Sequence, residues 1–270
     1  MKMKESLKVA AIQMVTGTSL TDNLNTAGRL IDQAASTGAQ LIGLPEYFCL
    51  LGQNETDKLK IAENPGQGPI QSFLSETARR HGIWLSSGSI PLVSPTEGKV
   101  FNTQLIFNPD GEQIARYDKI HLFSFTRGAE NYDESRGIVA GSSIQRINTP
   151  VADIGLSICY DLRFPELYRA LGQVDLILVP SAFTYTTGQA HWEVLLRARA
   201  IENQCYVLAP AQGGVHANGR KTWGHSMLID PWGEILAVLS EQEGVVSGTI
   251  DPIRLSEVRQ ALPALKHRVL

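Results

Sequence analysis

KVAAIQMVTGTSLTDNLNTAGRLIDQAASTGAQLIGLPE, residues 8–46, holds a complete strand–helix–strand unit. Lys8 to Met14 is short and largely apolar, which suits a strand. From about Thr21 the apolar residues Leu24, Ala27, Leu30, Ile31 and Ala34 fall on one face of a helix. Gly38 supplies the stop for that helix. Leu41-Ile42-Gly43-Leu44 forms a second buried strand, running into Pro45-Glu46. Alternation of this kind predicts an α/β protein.

The pattern continues outward. Ile70, Phe73, Leu74 and Ala78 mark another amphipathic helix that stops near Gly82, and a strand follows from Ile83 to about Ile90. Val100 to Phe107 and Gln113 to Tyr117 flank Asn108-Pro109-Asp110-Gly111, whose turn chemistry predicts a hairpin. Leu122 to Gly141 lacks clean periodicity and is expected to be a long loop, a length usually tied to function or disorder. Strands are then expected near Ile144–Ile147, Ala152–Ile158 and Leu176–Val179, with helices at about Phe164–Leu171 and Gln189–Asn203. Cys205–Leu208, Met227–Ile229, Glu234–Val238 and Val245–Ile250 read as further strands, and Asp251-Pro252 as the cap of a short final helix. No repeat or linker-like composition break divides the chain, so one domain over residues 1–270, with helices outside stacked sheets, is expected.

Bulk properties narrow the function. With 43% hydrophobic and 19% charged residues the chain suits a soluble globule. A formal net charge of −3 and the absence of a basic stripe argue against a nucleic-acid partner and leave a small molecule as the expectation. No apolar stretch approaches the roughly 20 residues of a membrane span. The charged start, Met1-Lys2-Met3-Lys4-Glu5, leads into no signal-type core, and a cytoplasmic location is expected. Cys49, Cys159 and Cys205 are odd in number and widely spaced, with no CxxC pairing. A reducing compartment keeps such thiols available.

Three polar residues share a placement. Glu46 follows the strand Leu41 to Leu44, Lys119 follows the strand ending Arg116-Tyr117-Asp118, and Cys159 closes Asp153-Ile154-Gly155-Leu156-Ser157-Ile158. Strand ends in α/β sheets point side chains into the crevice where ligands bind. A thiol at a strand-to-helix turn faces the positive end of the helix, which favours thiolate. A carboxylate takes the thiol proton, and an ammonium, with the backbone N–H of Tyr160, stabilises the oxyanion on an attacked carbonyl. Taken singly, Cys159 reads as a small buried hydrophobe, Glu46 as a strand-end cap and Lys119 as a loop charge. Together they supply base, nucleophile and cation.

Gly43-Leu44-Pro45-Glu46-Tyr47, Tyr117-Asp118-Lys119-Ile120-His121-Leu122 and Ser157-Ile158-Cys159-Tyr160-Asp161-Leu162-Arg163-Phe164-Pro165-Glu166 closely resemble, in that order, the nitrilase superfamily of carbon–nitrogen hydrolases. The resemblance runs from Val9 to about His267. It implies a four-layer α-β-β-α sandwich, a Glu46–Lys119–Cys159 triad, no metal or organic cofactor, and assembly as a homodimer or larger homo-oligomer. It also implies a second active-site glutamate between lysine and cysteine, carried here to Glu134, with Glu130 competing. The blocks Pro180 to Phe183, Ala190 to Val207 and Trp223 to Met227 look most like the Nit-type amidases, which implies hydrolysis of deaminated glutathione to 2-oxoglutarate and cysteinylglycine through a thioester. Alternatives are an ω-amidase acting on α-ketoglutaramate, a hydrolase of N-carbamoyl amino acids or nitriles, and a silent binding subunit on the same fold.

Around this centre, Tyr47, Tyr160, Phe183, Thr184 and Arg163 are expected to contact substrate. Arg127 and Arg163 are candidates for a bidentate bond to a substrate carboxylate, with Glu166 as a structural partner for Arg163. His191, Arg197, Arg199 and Glu202 read as a structural charge network or subunit contact, Cys49 and Cys205 as packing, and His121 as a strand-end spacer.

Overall fold

Two faces of one strand explain the layering. Successive side chains of the strand Leu7–Gln13 point to opposite faces of its sheet. Its Val9 and Ala11 pack into an apolar cluster with Ile154, Leu156 and Leu208 of a second sheet. Its Ala10 and Ile12 pack instead under Leu30 and Ile31 of the helix Leu20–Ser36 and Leu74 and Ala78 of the helix Pro69–His81. A strand covered on both faces explains why its sequence is nearly continuous apolar residues rather than alternating.

The structure, a computed structural model, describes every residue except Met1, Lys2, Lys4, Glu55, Ala129 and Leu270. The outermost ends of the span read as one domain, and part of the charged run Met1 to Glu5, lie outside the described residues. The first sheet runs Gly244–Ile250, Leu7–Gln13, Leu41–Gly43, Trp84–Ser86, Val100–Phe107, Ile90–Val93, with Gln113–Asp118 and Ile138–Val139 also bonded to Val100–Phe107. The second runs Arg146–Asn148, Asp153–Leu156, Leu176–Leu178, Tyr206–Ala209, Met227–Ile229, Ile235–Val238. Trp192, Leu196 and Ala200 of the helix Tyr185–Asn203 pack on the second sheet, and the four layers are α-β-β-α.

The sheets approach closely. A Cβ on Gly248 would stand 2.4 Å from Leu228 Cδ2, and one on Gly43 would stand 3.1 Å from Pro210 Cγ. Buried polar side chains tie the layers together. Gln13 accepts from the Ser226 N–H (2.8 Å) and donates to the Gln242 carbonyl (2.6 Å). Gln212 donates to Thr16 Oγ1 (2.7 Å) and to the Glu46 carbonyl (3.0 Å).

Several expectations change. The segment Leu122 to Gly141 is not a loop throughout: Ser124–Arg127 and Glu130–Asp133 form a hairpin, Glu134–Arg136 is a 3-10 turn, and Ile138–Val139 pairs in parallel with Val100–Phe101. Cross-strand pairing, not periodicity, orders it. The strand expected from Ile83 to Ile90 splits at Gly88, whose φ of +62° breaks the extended run. The helix expected from Gln189 begins at Tyr185, where the Thr184 hydroxyl accepts from the Thr187 N–H. Gly213–Val215 and Lys221–Trp223 pair as a hairpin that the sequence reading passed over.

Candidate active site

Glu46, Lys119 and Cys159 arrive from different strands and meet at the floor of one cleft. The cleft encloses about 860 Å³, its open mouth included. Glu46 and Lys119 belong to segments leaving the first sheet, and Cys159 to one leaving the second. The site therefore lies across the sandwich, at strand ends where α/β proteins bind ligands.

The backbone at each position is held tightly. A Cβ on Gly88 would fall 2.0 Å from the Pro45 carbonyl oxygen, and one on Gly141 would fall 2.1 Å from the Asp118 carbonyl oxygen. Glycine thus lets chain pass against the residue preceding Glu46 and the residue preceding Lys119. The Lys119 N–H donates to the Asn102 carbonyl (2.9 Å), and its carbonyl accepts from Gly141 (2.8 Å). Cys159 adopts φ +48°, and Tyr47, beside Glu46, φ +57°, left-handed conformations that non-glycine residues rarely hold.

Asp161, fully buried, joins the lysine segment to the cysteine segment. Its carboxylate accepts from the Ile158 N–H (2.8 Å), the Tyr117 hydroxyl (2.6 Å) and the His121 N–H (3.0 Å), and meets His121 Nδ1 at 2.7 Å. The His121 ring stacks on Phe164 with centroids 3.7 Å apart. This is a structural station for His121, in keeping with a strand-end spacer.

Side-chain contacts join the three groups. Lys119 Nζ donates to Glu46 Oε1 at 2.9 Å and to Glu134 Oε1 and Oε2 at 3.0 and 2.8 Å. Glu46 Oε1 also accepts from Asn102 Nδ2, and Oε2 from the Ala182 N–H, each at 2.9 Å. Cys159 lies in the same cleft, near enough to Glu46 for each to shift the other's proton affinity. Glu134 is held by the Tyr47 hydroxyl (2.8 Å) and the Phe123 N–H (2.7 Å). Of the two glutamates weighed in the sequence, Glu134 reaches the lysine, whereas Glu130 accepts from the Thr186 hydroxyl (2.7 Å).

Burial sets the protonation pattern. It raises the Glu46 carboxyl above 4.5; Lys119 opposes this, and the nearby charge of Glu134 adds to it. Burial also works against the Lys119 ammonium, but Glu134 and Glu46 outweigh it and raise the lysine well above its usual value. Glu134 shows the converse balance: Lys119 overcomes burial and lowers it. Burial, then Glu46, raise the Cys159 thiol well above 9.0. The helix-end influence expected to favour thiolate is therefore outweighed. The turn after the sulfur is a short 3-10 segment, Cys159–Arg163, and desolvation beside a carboxylate outweighs any favourable dipole. A neutral thiol beside a carboxyl of raised pKa can act as a proton-transfer pair.

The remaining expected residues divide. Tyr47 and Thr184 line the cleft, and Tyr160, Phe183, Thr184 and Arg163 line a smaller hollow that also reaches Cys159. Arg163 lies over the rings of Tyr160 and Phe183, and its Nη1 stands 3.2 Å from His191 Nδ1, in place of the Glu166 pairing considered earlier. Arg127 is exposed on the outer hairpin and lines neither hollow, which corrects its candidacy as a carboxylate contact. Arg199 donates to the Leu162 carbonyl (3.1 and 2.7 Å) and pairs with Glu202 (2.7 Å), a structural role. Cys49 and Cys205 are packed in hydrocarbon, and burial pushes both thiols up to about 12.

Sequence reasoning missed Asn102, which bonds to Glu46 and to the Lys119 backbone, Gly88 and Gly141, which let chain pass close by, and the basic side chains Lys58, Arg220 and Lys221 that line the cleft. Asn218-Gly219, a hairpin-turn pair, was the available signal for Arg220 and Lys221.

With this geometry in view, comparisons with known proteins are informative. Residues 8–260 match the carbon–nitrogen hydrolase family. A deaminated glutathione amidase of Synechocystis is 47% identical over 96% of this chain and 97% of its own. The crystal structure of the C. elegans NitFhit protein superposes with a TM-score of 0.91 and is 39% identical over 98% of this chain, which spans 66% of that longer one. Saccharomyces cerevisiae Nit3, described as a member of branch 10 of the nitrilase superfamily, gives a TM-score of 0.87 at 32% identity, with 97% and 96% of the two chains covered.

Proposed function

This chain belongs to the carbon–nitrogen hydrolase family, and from that premise we propose that it is an amidase cleaving deaminated glutathione to 2-oxoglutarate and cysteinylglycine through a thioester on Cys159. The observation that carries the chemistry is the junction at the cleft floor, where Cys159 shares the cleft with a Glu46 that is bonded to Lys119 at 2.9 Å. The substrate is carried by the likeness to the Synechocystis enzyme.

Glu46 takes the thiol proton as the sulfur attacks the amide carbonyl carbon. Negative charge moves to the carbonyl oxygen, where Lys119 Nζ and the Tyr160 N–H receive it. The C–N bond breaks as Glu46 returns the proton to the departing amine. Water, deprotonated by Glu46, then attacks the thioester carbonyl; the C–S bond breaks, the acid leaves and the thiol is restored. Glu134 holds the Lys119 ammonium in register and keeps it charged. A carboxyl raised toward neutrality suits a group that must both accept and return a proton.

One domain over residues 1–270 performs this reaction in the cytoplasm. Among the described residues no helix is long and apolar enough to cross a membrane. Exposed Val194 and Ile201 on the helix Tyr185–Asn203, with exposed Trp232, support association into a homodimer or larger assembly.

Mass spectrometry of the protein mixed with deaminated glutathione, α-ketoglutaramate and an N-carbamoyl amino acid tests both parts. We expect a 2-oxoglutaryl adduct on Cys159 and the highest kcat/KM for deaminated glutathione. A Cys159→Ser protein retaining full activity would overturn the chemistry, and equal efficiency on α-ketoglutaramate would overturn the substrate.

A further inference from the structure

Along the strand Val100–Phe107, Asn102, Gln104 and Ile106 share one face. Ile106 packs into the apolar cluster between the sheets, a setting in which an amide is costly unless it is bonded. Gln104 donates to the Ser86 hydroxyl (2.9 Å), whereas Asn102 donates through Nδ2 to Glu46 Oε1 (2.9 Å) at the cleft floor. Asn102 is 1% exposed, and its Oδ1 meets no hydrogen-bond donor among the described residues. A buried carbonyl left unsatisfied lowers stability. Turning the amide over gives no relief, because it sets Oδ1 against the Glu46 carboxylate, where neither group can donate. The orientation serves the donor and leaves the acceptor unmatched.

The two oxygens of Glu46 have different company. Oε1 accepts from Asn102 Nδ2 and Lys119 Nζ, each at 2.9 Å, and Oε2 accepts from the Ala182 N–H at 2.9 Å. Ala182 and Cys159 line both hollows, and Asn102 lines neither. Oε1 thus carries two donors, one of them set back from the cleft, while the single partner of Oε2 borders the sulfur. The charged and titratable groups about Glu46 are Lys119, Glu134 and Cys159. Burial raises its carboxyl, Lys119 lowers it and Glu134 raises it. Lys119 has a second duty at the oxyanion, so a neutral donor on Oε1 supports the carboxylate while the ammonium turns to substrate.

We propose that Asn102 is a positioning residue for acyl transfer: its amide holds Glu46 Oε1 back beside Lys119, presents Oε2 to the sulfur and keeps the carboxylate ready to accept the thiol proton. The proposal rests on the acyl-transfer reading and deepens it by assigning what aims and tunes the base. The backbone of Asn102 has a separate task. Its carbonyl accepts from the Lys119 N–H (2.9 Å), and its strand is paired with Ile90–Val93 and Gln113–Asp118. A change of side chain therefore leaves the Lys119 tether in place.

Asn102→Leu removes the donor, and Asn102→Asp keeps the shape while replacing the donor with a second carboxyl. A hydrogen bond to the charged form favours that form, so losing it makes Glu46 hold its proton more tightly. With deaminated glutathione as substrate, the acid limb of kcat/KM should move to higher pH by about one unit in both variants, so that the rate at a fixed pH on the limb falls roughly tenfold. A role in packing alone lowers the rate at every pH and leaves the limb where it was; that result in both variants overturns the proposal. Urea unfolding supplies a readout that needs no turnover. Asn102→Leu should lose more stability relative to the unaltered protein at pH 8 than at pH 5, because the lost donor bonds the ionised carboxylate. A loss that is the same at both pH values, or larger at pH 5, also overturns it. An absent Cys159 adduct, by contrast, counts against the acyl-transfer reading and leaves the unfolding comparison as the test of the Asn102–Glu46 contact.

Discussion

At Glu46 two carboxylates share one ammonium, and this arrangement fixes how activity responds to pH. The Glu46 carboxyl is raised by burial and by the neighbouring Glu134 charge. In its proposed role as base it must be ionised, so the acid limb of kcat/KM should lie above the ordinary 4.5. Glu134→Gln removes one raising influence and leaves Lys119 more fully to Glu46. The limb should therefore move to lower pH even as the maximal rate falls; a limb that moves upward contradicts the coupling. Lys119→Met makes a different test. It strips the counter-charge from two buried carboxylates, a loss worth about 3–5 kcal/mol. Both carboxyls would then hold protons more tightly folded than unfolded, so the variant's stability should rise as pH falls. Urea unfolding at pH 5 and pH 8 measures that slope, and a variant more stable at the higher pH refutes it. The identities of these residues were legible because each stands at the end of a strand and within a block that resembles the family. The protonation of Cys159 was not, because it depends on burial and on a neighbour 113 positions earlier in the sequence.

Segments, not single side chains, decide whether those groups meet. Gly88 and Gly141 lie against the backbone just ahead of Glu46 and Lys119, and a methyl at either position collides with a carbonyl oxygen. Gly88→Ala also strains a residue at φ +62°. We expect Gly88→Ala and Gly141→Ala each to cost on the order of 2 kcal/mol and to reduce kcat well beyond what the lost stability explains. Thermal melts and steady-state rates test this together; full activity in either variant means that the close approach does not position the site. The strands and helices at the start of the chain were readable since their burial pattern is local. The order within Leu122 to Gly141 was not. Its hairpin is defined by pairings such as Phe125 with Tyr132, and its last strand pairs with Val100–Phe101. Polar, half-exposed residues engaged in that way leave no periodic trace.

Across the whole molecule, the proposed base and cation come from one sheet and the sulfur from the other. The repeated alternation of strand and helix indicated the layered architecture, and the family resemblance supplied its four-layer form. What the sequence hid was how tightly the sheets are coupled, through Gly248 against Leu228, Gly43 against Pro210, and the amides of Gln13 and Gln212. Low concentrations of denaturant that loosen this contact should abolish turnover before far-UV circular dichroism reports unfolding, because misplacing reacting groups by about 1 Å is costly. Coincident loss of activity and of helical signal would show that the two sheets separate only in the global transition.

The division of the reacting groups between facing plates also bears on what happens once a substrate arrives. An acyl group attached to the sulfur, with its oxygen against the ammonium, is a rivet through both plates. Protein trapped in that state should melt at a higher temperature than the empty form, so the proposed reaction cycle would alternately fasten and release the sandwich.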